Sequence, residues 1–114
     1  MSYNQRNAKV DDNQKKIVTA LRRIGCYVVH THTIKNAFDV IIFFQGRSYH
    51  TEIKNGSELP KYYHGLSDED KRLRLEKMLS EGECKCMEGM QATGVKYHIV
   101  SSIEEAINLV TEKQ

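Results

Sequence analysis

Tryptophan is absent, proline occurs once, at Pro60, and no apolar run is long enough for a signal peptide or a membrane span. The lack of such a segment leads to the expectation of a cytoplasmic protein. Cysteine is scarce and odd in number: Cys26, Cys84 and Cys86 do not make a disulfide framework, and free thiols fit a reducing compartment. Paired CxxC knuckles are lacking as well. Cys84 and Cys86 form a lone CxC that, with Cys26 and His64 or His98, could make a zinc-stapled regulator, but free thiols are the preferred reading. Nor is there an excess of one charge: the net charge of +2 permits a polyanionic partner without announcing one. No internal repeat or low-complexity segment divides the chain. Its 114 residues are read as a single domain, 1–114, able to bury a core without disulfide or metal staples.

What is present is a succession of short periodic segments. Residues 1–10, MSYNQRNAKV, are polar and read as a flexible arm, with Arg6 and Lys9 available to touch nucleic acid. Asp11 or Asp12 can cap a helix whose apolar positions Ile17, Val18, Leu21 and Ile24 recur at helical spacing until Gly25. CYVVH, residues 26–30, reads as a strand, and HTHTIKN as a connection. AFDVIIFF, residues 37–44, has the nearly continuous apolar character of a strand covered on both faces, and GRSYHTEIK returns from it as a hairpin. Residues 55–65, with Gly56, Pro60 and Tyr62-Tyr63, suit a surface loop. Ser67 caps a charged helix expected to end near Gly82, and ECKCMEGMQATG has no clear period. VKYHIV, residues 95–100, reads as a strand, and Ser101 or Ser102 with Glu104 or Glu105 makes a capping box for a last helix. The expected architecture is α/β: a mixed central sheet flanked by helices, in the order α-β-β-β-α-β-α.

The hairpin carries the chemistry. A two-residue turn at Gln45-Gly46 puts Phe44 opposite Arg47, and stepping back along both arms brings Asp39 opposite Glu52. Side chains directly opposite have Cβ atoms about 4.5–5.5 Å apart, and the period of two puts Lys54 on the same face. Opposite Lys54 falls Ala37, small enough to leave the place open. Two facing carboxylates repel each other, so the fold gains nothing from them. A hard divalent cation reverses the sign, because carboxylate oxygens are what Mg²⁺ binds, leaving its other positions for water and phosphate oxygens. Lys54 beside the pair adds a point charge for an attacking water or a phosphate. The plainer alternative is a Glu52-Lys54 ion pair on a solvated strand, with Asp39 closing a turn.

An acidic residue opening an apolar strand, then a turn, then E-I-K ending the next strand, all after an N-terminal helix, resembles the PD-(D/E)xK nuclease superfamily. The nearer likeness is to the small phage and bacterial virus-type replication-repair (VRR-NUC) nucleases, over VDDNQKKIVTALRRIGC, FDVIIFFQGRSYHTEIKNG and VKYHIVSSIEEAI. Phe38 stands where the motif has proline, and the segment from Tyr62 to Gly94 is longer than in compact relatives. The resemblance implies a restriction-endonuclease-like sheet and a bacterial or phage-infected cell. It also implies a Mg²⁺- or Mn²⁺-dependent endonuclease hydrolysing phosphodiester bonds in DNA, with Asp39 and Glu52 as metal-binding acids and Lys54 as catalytic lysine. Gln14, or less closely Asp11, matches the residue that the first helix adds to the site. Relatives of this size imply a homodimer acting on branched, Holliday-junction-like duplexes.

Phosphates could be held by Lys35, Lys61, Arg22 and Arg23, and an unpaired base could stack on Tyr62 or Tyr63. Equally, the arginines can lie on a solvated helix side and the tyrosines cover the core edge or a dimer contact. His50 shares the Glu52 face and could touch phosphate or a metal-bound water, but for His30, His32 and His50 an ordinary surface histidine is the preferred reading. A second function class is a catalytically silent nuclease-fold module of phage origin that binds nucleic acid or a host protein, with residues 62–94 as the partner surface.

Overall fold

The structure, a computed structural model, describes residues 11–112. The proposed arm of residues 1–10, with Arg6 and Lys9, lies outside the described residues. Helix α1 (Asp12–Arg23) begins where the Asp11 carboxylate accepts the Gln14 N–H at 2.8 Å, and its buried side is Gln14, Ile17, Val18 and Leu21. It stops at Ile24 and Gly25, the latter at φ +102°.

Three antiparallel strands follow: β1 (Tyr27–His30), β2 (Val40–Phe44) and β3 (Arg47–Ile53). Gln45 and Gly46 both have positive φ, 49° and 81°, as the two-residue hairpin turn requires. Phe44 lies opposite Arg47 and Val40 opposite Thr51, the register expected from the sequence. Strand β2 is shorter than the expected 37–44, because turns through Asn36, at φ 61°, occupy the approach to it. After two 3₁₀ turns, Gly56–Glu58 and Lys61–Gly65, come α2 (Asp68–Glu76) and α3 (Glu81–Ala92). Strand β4 (His98–Val100) pairs parallel with β3, and α4 (Ile103–Thr111) closes the fold. The sheet order is β1-β2-β3-β4.

Among the described residues the order is therefore α-β-β-β-α-α-β-α, one helix more than expected. The single helix read from Ser67 to Gly82 ends at Glu76, and Ser80 starts another with a full capping box to Glu83. Gly82 is not a stop but a point of close approach: a Cβ there would overlap the Asn36 carboxamide. The stretch without clear period is α3, whose Cys86, Met87 and Met90 pack inward while glycines dilute the pattern. At the last helix Ser102 Oγ accepts the Glu105 N–H at 3.1 Å, but the Glu105 carboxylate takes the Ser101 N–H at 2.7 Å, so the box is shifted by one residue.

Two apolar clusters sandwich the mixed sheet. On one side α1 and α4 bring Ile17, Val18, Leu21, Ala106 and Val110 against Val40 and Ile42. On the other, α2, α3 and the second 3₁₀ turn bring Tyr63, Leu75 and Met87 against Ile99. The α/β class and the helices on both faces follow the sequence reading. Among the described residues no helix is long and apolar enough to cross a membrane.

Candidate active site

The β2–β3 ladder stops one residue short of Asp39. There the Asp39 N–H bonds to Thr51 O at 3.0 Å, and its carboxylate Oδ2 accepts the Ile53 N–H at 2.8 Å. A side chain thus takes over the ladder bond that backbone would have made, which pins the Asp39 carboxylate at the end of β3. Glu52 is a ladder residue opposite Ile99 of β4 and is only 4% exposed. The picture of a solvated strand does not hold for it.

Lys54 follows β3 and turns back: its Nζ lies 3.3 Å from Glu52 Oε2 and 2.9 Å from Glu83 Oε1. Its backbone is fixed from two sides. The Lys54 N–H bonds to Val100 O at 2.9 Å, and Asn13 Nδ2 donates to Lys54 O at 2.8 Å. Asn13 also reaches Ser101 O at 3.4 Å, so the first turn of α1 clamps the ends of β3 and β4. Gln14 is buried, with its Nε2 3.4 Å from His30 Nδ1. Gln14, Asp39, Glu52 and Lys54, together with Asp11 and His32, line one cavity of about 350 Å³. The four residues expected in the catalytic set are therefore brought together.

The electrostatics follow from burial. Glu52 is pushed up to about 9 by loss of water, then by the charges of Asp39 and Glu83, with Lys54 opposing. Asp39 is raised by burial as well, against the pull of the Ile53 N–H. Burial alone would lower Lys54, but its hydrogen bond to Glu83 and the charges of Glu52 and Glu83 outweigh that and raise it. Glu83 resists its own burial through the Ser80 N–H and Lys54 and ends below the usual carboxylate range. Lys54 and Glu83 form the charged couple, and the Asp39-Glu52 pair is short of positive charge.

That shortage is the test of fit for a divalent cation. Two carboxylates and the amide oxygen of Gln14 are hard oxygen donors of the kind Mg²⁺ takes, and few protein ligands suffice when water and phosphate fill the rest. Among the described residues no cluster of three or more His, Cys, Asp or Glu side chains is arranged to hold a metal. Cys26 belongs to the cluster under α1 and Cys86 to the cluster under α3, so the cysteines do not converge.

Several expected contacts lie elsewhere. Arg22 and Arg23 sit in the last turn of α1, about 12–14 Å along the helix from Gln14 at about 1.5 Å per residue. Tyr63 is 2% exposed, its hydroxyl bonded to Glu105, which makes it a core residue rather than a stacking platform. Tyr62 is 64% exposed; Lys35 and Lys61 are exposed and do not line the cavity. His50 meets the Phe38 ring edge-on at 5.4 Å. Sequence reasoning missed Glu83 and Asn13. The S-x-x-E of Ser80 and Glu83 was the available signal for the first; for a polar residue in a first helical turn there was none. Comparison of the chain with protein-family models, curated proteins and solved structures gave no match.

Proposed function

We propose that the chain is a divalent-metal-dependent endonuclease of PD-(D/E)xK type, hydrolysing phosphodiester bonds in DNA, with branched, Holliday-junction-like duplexes as substrate and a two-fold homodimer as the working form. The observation that carries this reading is the convergence of Asp39, Glu52, Lys54 and Gln14 on one polar cavity, with Glu52 buried and paired to Lys54. Asp39 and Glu52, with Gln14 beside them, would hold Mg²⁺ or Mn²⁺. Such an ion would supply a Lewis acid for phosphate oxygens and lower the pKa of a water.

The chain's own residues do the rest. Lys54, kept charged by Glu52 and Glu83, offsets negative charge gathering at phosphorus and orients the attacking water. Water oxygen bonds to phosphorus as the P–O3′ bond breaks; the water loses a proton, O3′ gains one, and the phosphate stays on the 5′ side. Asn13 and the Val100 carbonyl hold the Lys54 backbone so that the ammonium does not have to be ordered during reaction.

A second reading, a silent binding module, draws on one observation: Lys54 is already engaged by two carboxylates. One experiment separates them. Labelled four-way junction, flap, single-stranded and linear duplex DNA are incubated with Mg²⁺ or Mn²⁺ and wild type, Glu52→Gln or Lys54→Ala. Metal-dependent cutting lost in both variants is expected. Intact DNA throughout, from folded protein that binds no divalent ion, would leave the binding module.

A further inference from the structure

The helices on the Glu52 side of the sheet do not cover all of it. Asp39, Ile41 and Phe43 alternate onto one face of β2, and their neighbours there are Val29 and Tyr27 of β1 and His50 and Ser48 of β3. Ile41 and Val29 are half-buried, whereas Tyr27 is 69% and Phe43 40% exposed. Their rings lie side by side with centroids 5.9 Å apart and an angle of 39°, forming an aromatic shelf.

The shelf belongs to a second cavity, of about 490 Å³, lined also by Gly25, Phe44, Arg47 and Ser48, with no carboxylate in its wall. Arg47, paired with Phe44 at the hairpin end of the sheet, stands in the wall of this cavity, whereas Arg22 and Arg23 belong to α1 on the opposite, Val40-Ile42 side, where Arg22 Nη2 donates to Val28 O at 3.4 Å. Among the described residues Arg47 forms no ion pair. Exposed rings with Arg47 in the same wall and no carboxylate there complement a ligand with π faces and negative charge. A second copy of this chain fits less well, because a two-fold contact would set arginine against arginine.

We propose that the Tyr27-Phe43 shelf and Arg47 bind an unpaired stretch of single-stranded DNA, bases on the rings and phosphate on the guanidinium group. That the strand runs along this face to the carboxylates rests on the endonuclease reading; the binding itself does not. From Asp39 to Phe43 is about 13 Å at about 3.3 Å per residue. A stacked strand advancing about 3.4 Å per nucleotide covers that span in about four nucleotides.

The test is fluorescence anisotropy in EDTA, where nothing is cut, with duplexes carrying 5′ or 3′ tails from none to about eight nucleotides. Affinity is expected to rise with tail length up to about four nucleotides and then level off. The pair Tyr27→Ala/Phe43→Ala is expected to lose about ten-fold or more on tailed DNA and little on blunt duplex. Arg47→Ala should weaken tailed DNA and flatten its salt dependence. Circular dichroism and sedimentation accompany each variant, and Tyr27→Leu and Phe43→Leu keep the site testable if the alanine pair does not fold. Affinity independent of tail length would overturn the proposal. So would a wild-type dimer that dissociates in the ring variants, since the shelf would then be a contact between copies. Cutting of blunt duplex without tail-dependent binding would retain the endonuclease reading and reject this one. Tail-dependent binding by a protein that cuts nothing would do the reverse.

Discussion

Glu52 concentrates the argument in one side chain. Its carboxyl is raised from an ordinary value near 4.5 to about 9 by burial and by Asp39 and Glu83. In the unfolded chain it ionises first, so between those values the unfolded state binds fewer protons. Without metal, stability should therefore fall as pH rises from about 4.5 to about 9, by at most about 1.4 kcal/mol per pH unit for this one group. Asp39 is shifted in the same direction and adds to the trend. Thermal melts in EDTA across this range should slope downward, Glu52→Gln should flatten the slope while abolishing cutting, and Mg²⁺ or Mn²⁺ should restore wild type most at the alkaline end. A flat wild-type profile would mean that the carboxyl is not held neutral. Glu83 makes a second residue-scale prediction. It touches Lys54 but does not line the cavity; under the proposed function it would be a positioning residue, and Glu83→Gln should lower kcat by about ten-fold with KM little changed. Removal of Lys54 itself should cost about 10²–10³-fold.

At the scale of elements, α3 is the part that completes the site, because its N-terminal turn carries Glu83 to Lys54 and receives Asn36 against Gly82. Gly82→Ala should displace Asn36 and destabilise by about 1–3 kcal/mol, seen as a lower urea midpoint at unchanged slope. Much of this scale was legible in the sequence. Asp11 and Gly25 bracket α1, and the positive-φ turn at Gln45-Gly46 sets the register that carries Asp39 toward Glu52. Glu52 itself could be placed by period alone. The break between α2 and α3 was harder: Glu76, Lys77, Met78 and Leu79 are all compatible with helix, and only Ser80 with Glu83 marked a new start. Glycine at position 82 misled because its use is steric, a contact with a residue far away in sequence. The Asn13 clamp was invisible for the same reason, since its partners are 41 and 88 residues away.

At the scale of the whole molecule, the described residues join one candidate site to one sheet and leave one sheet face partly open. Under the proposed function one such site cuts one strand. If the working form is a two-fold dimer, mixed dimers carrying one Glu52→Gln subunit should nick a four-way junction where wild type makes paired cuts, a difference read on native and denaturing gels. A monomer in sedimentation that still makes paired cuts would remove the dimer from the proposal.

The clamp that Asn13 makes on Lys54 and Ser101 also bears on how the protein comes into being. During synthesis the hairpin bearing Asp39 and Glu52 is made before Glu83, Val100 and Ser101. Until those arrive, Lys54 lacks Glu83 and the Val100 anchor, and Asn13 lacks Ser101. An incomplete chain would thus carry both acids without a positioned lysine, and under the proposed endonuclease function competence would begin only when β4 docks, so that the activity is tied to completion of the fold.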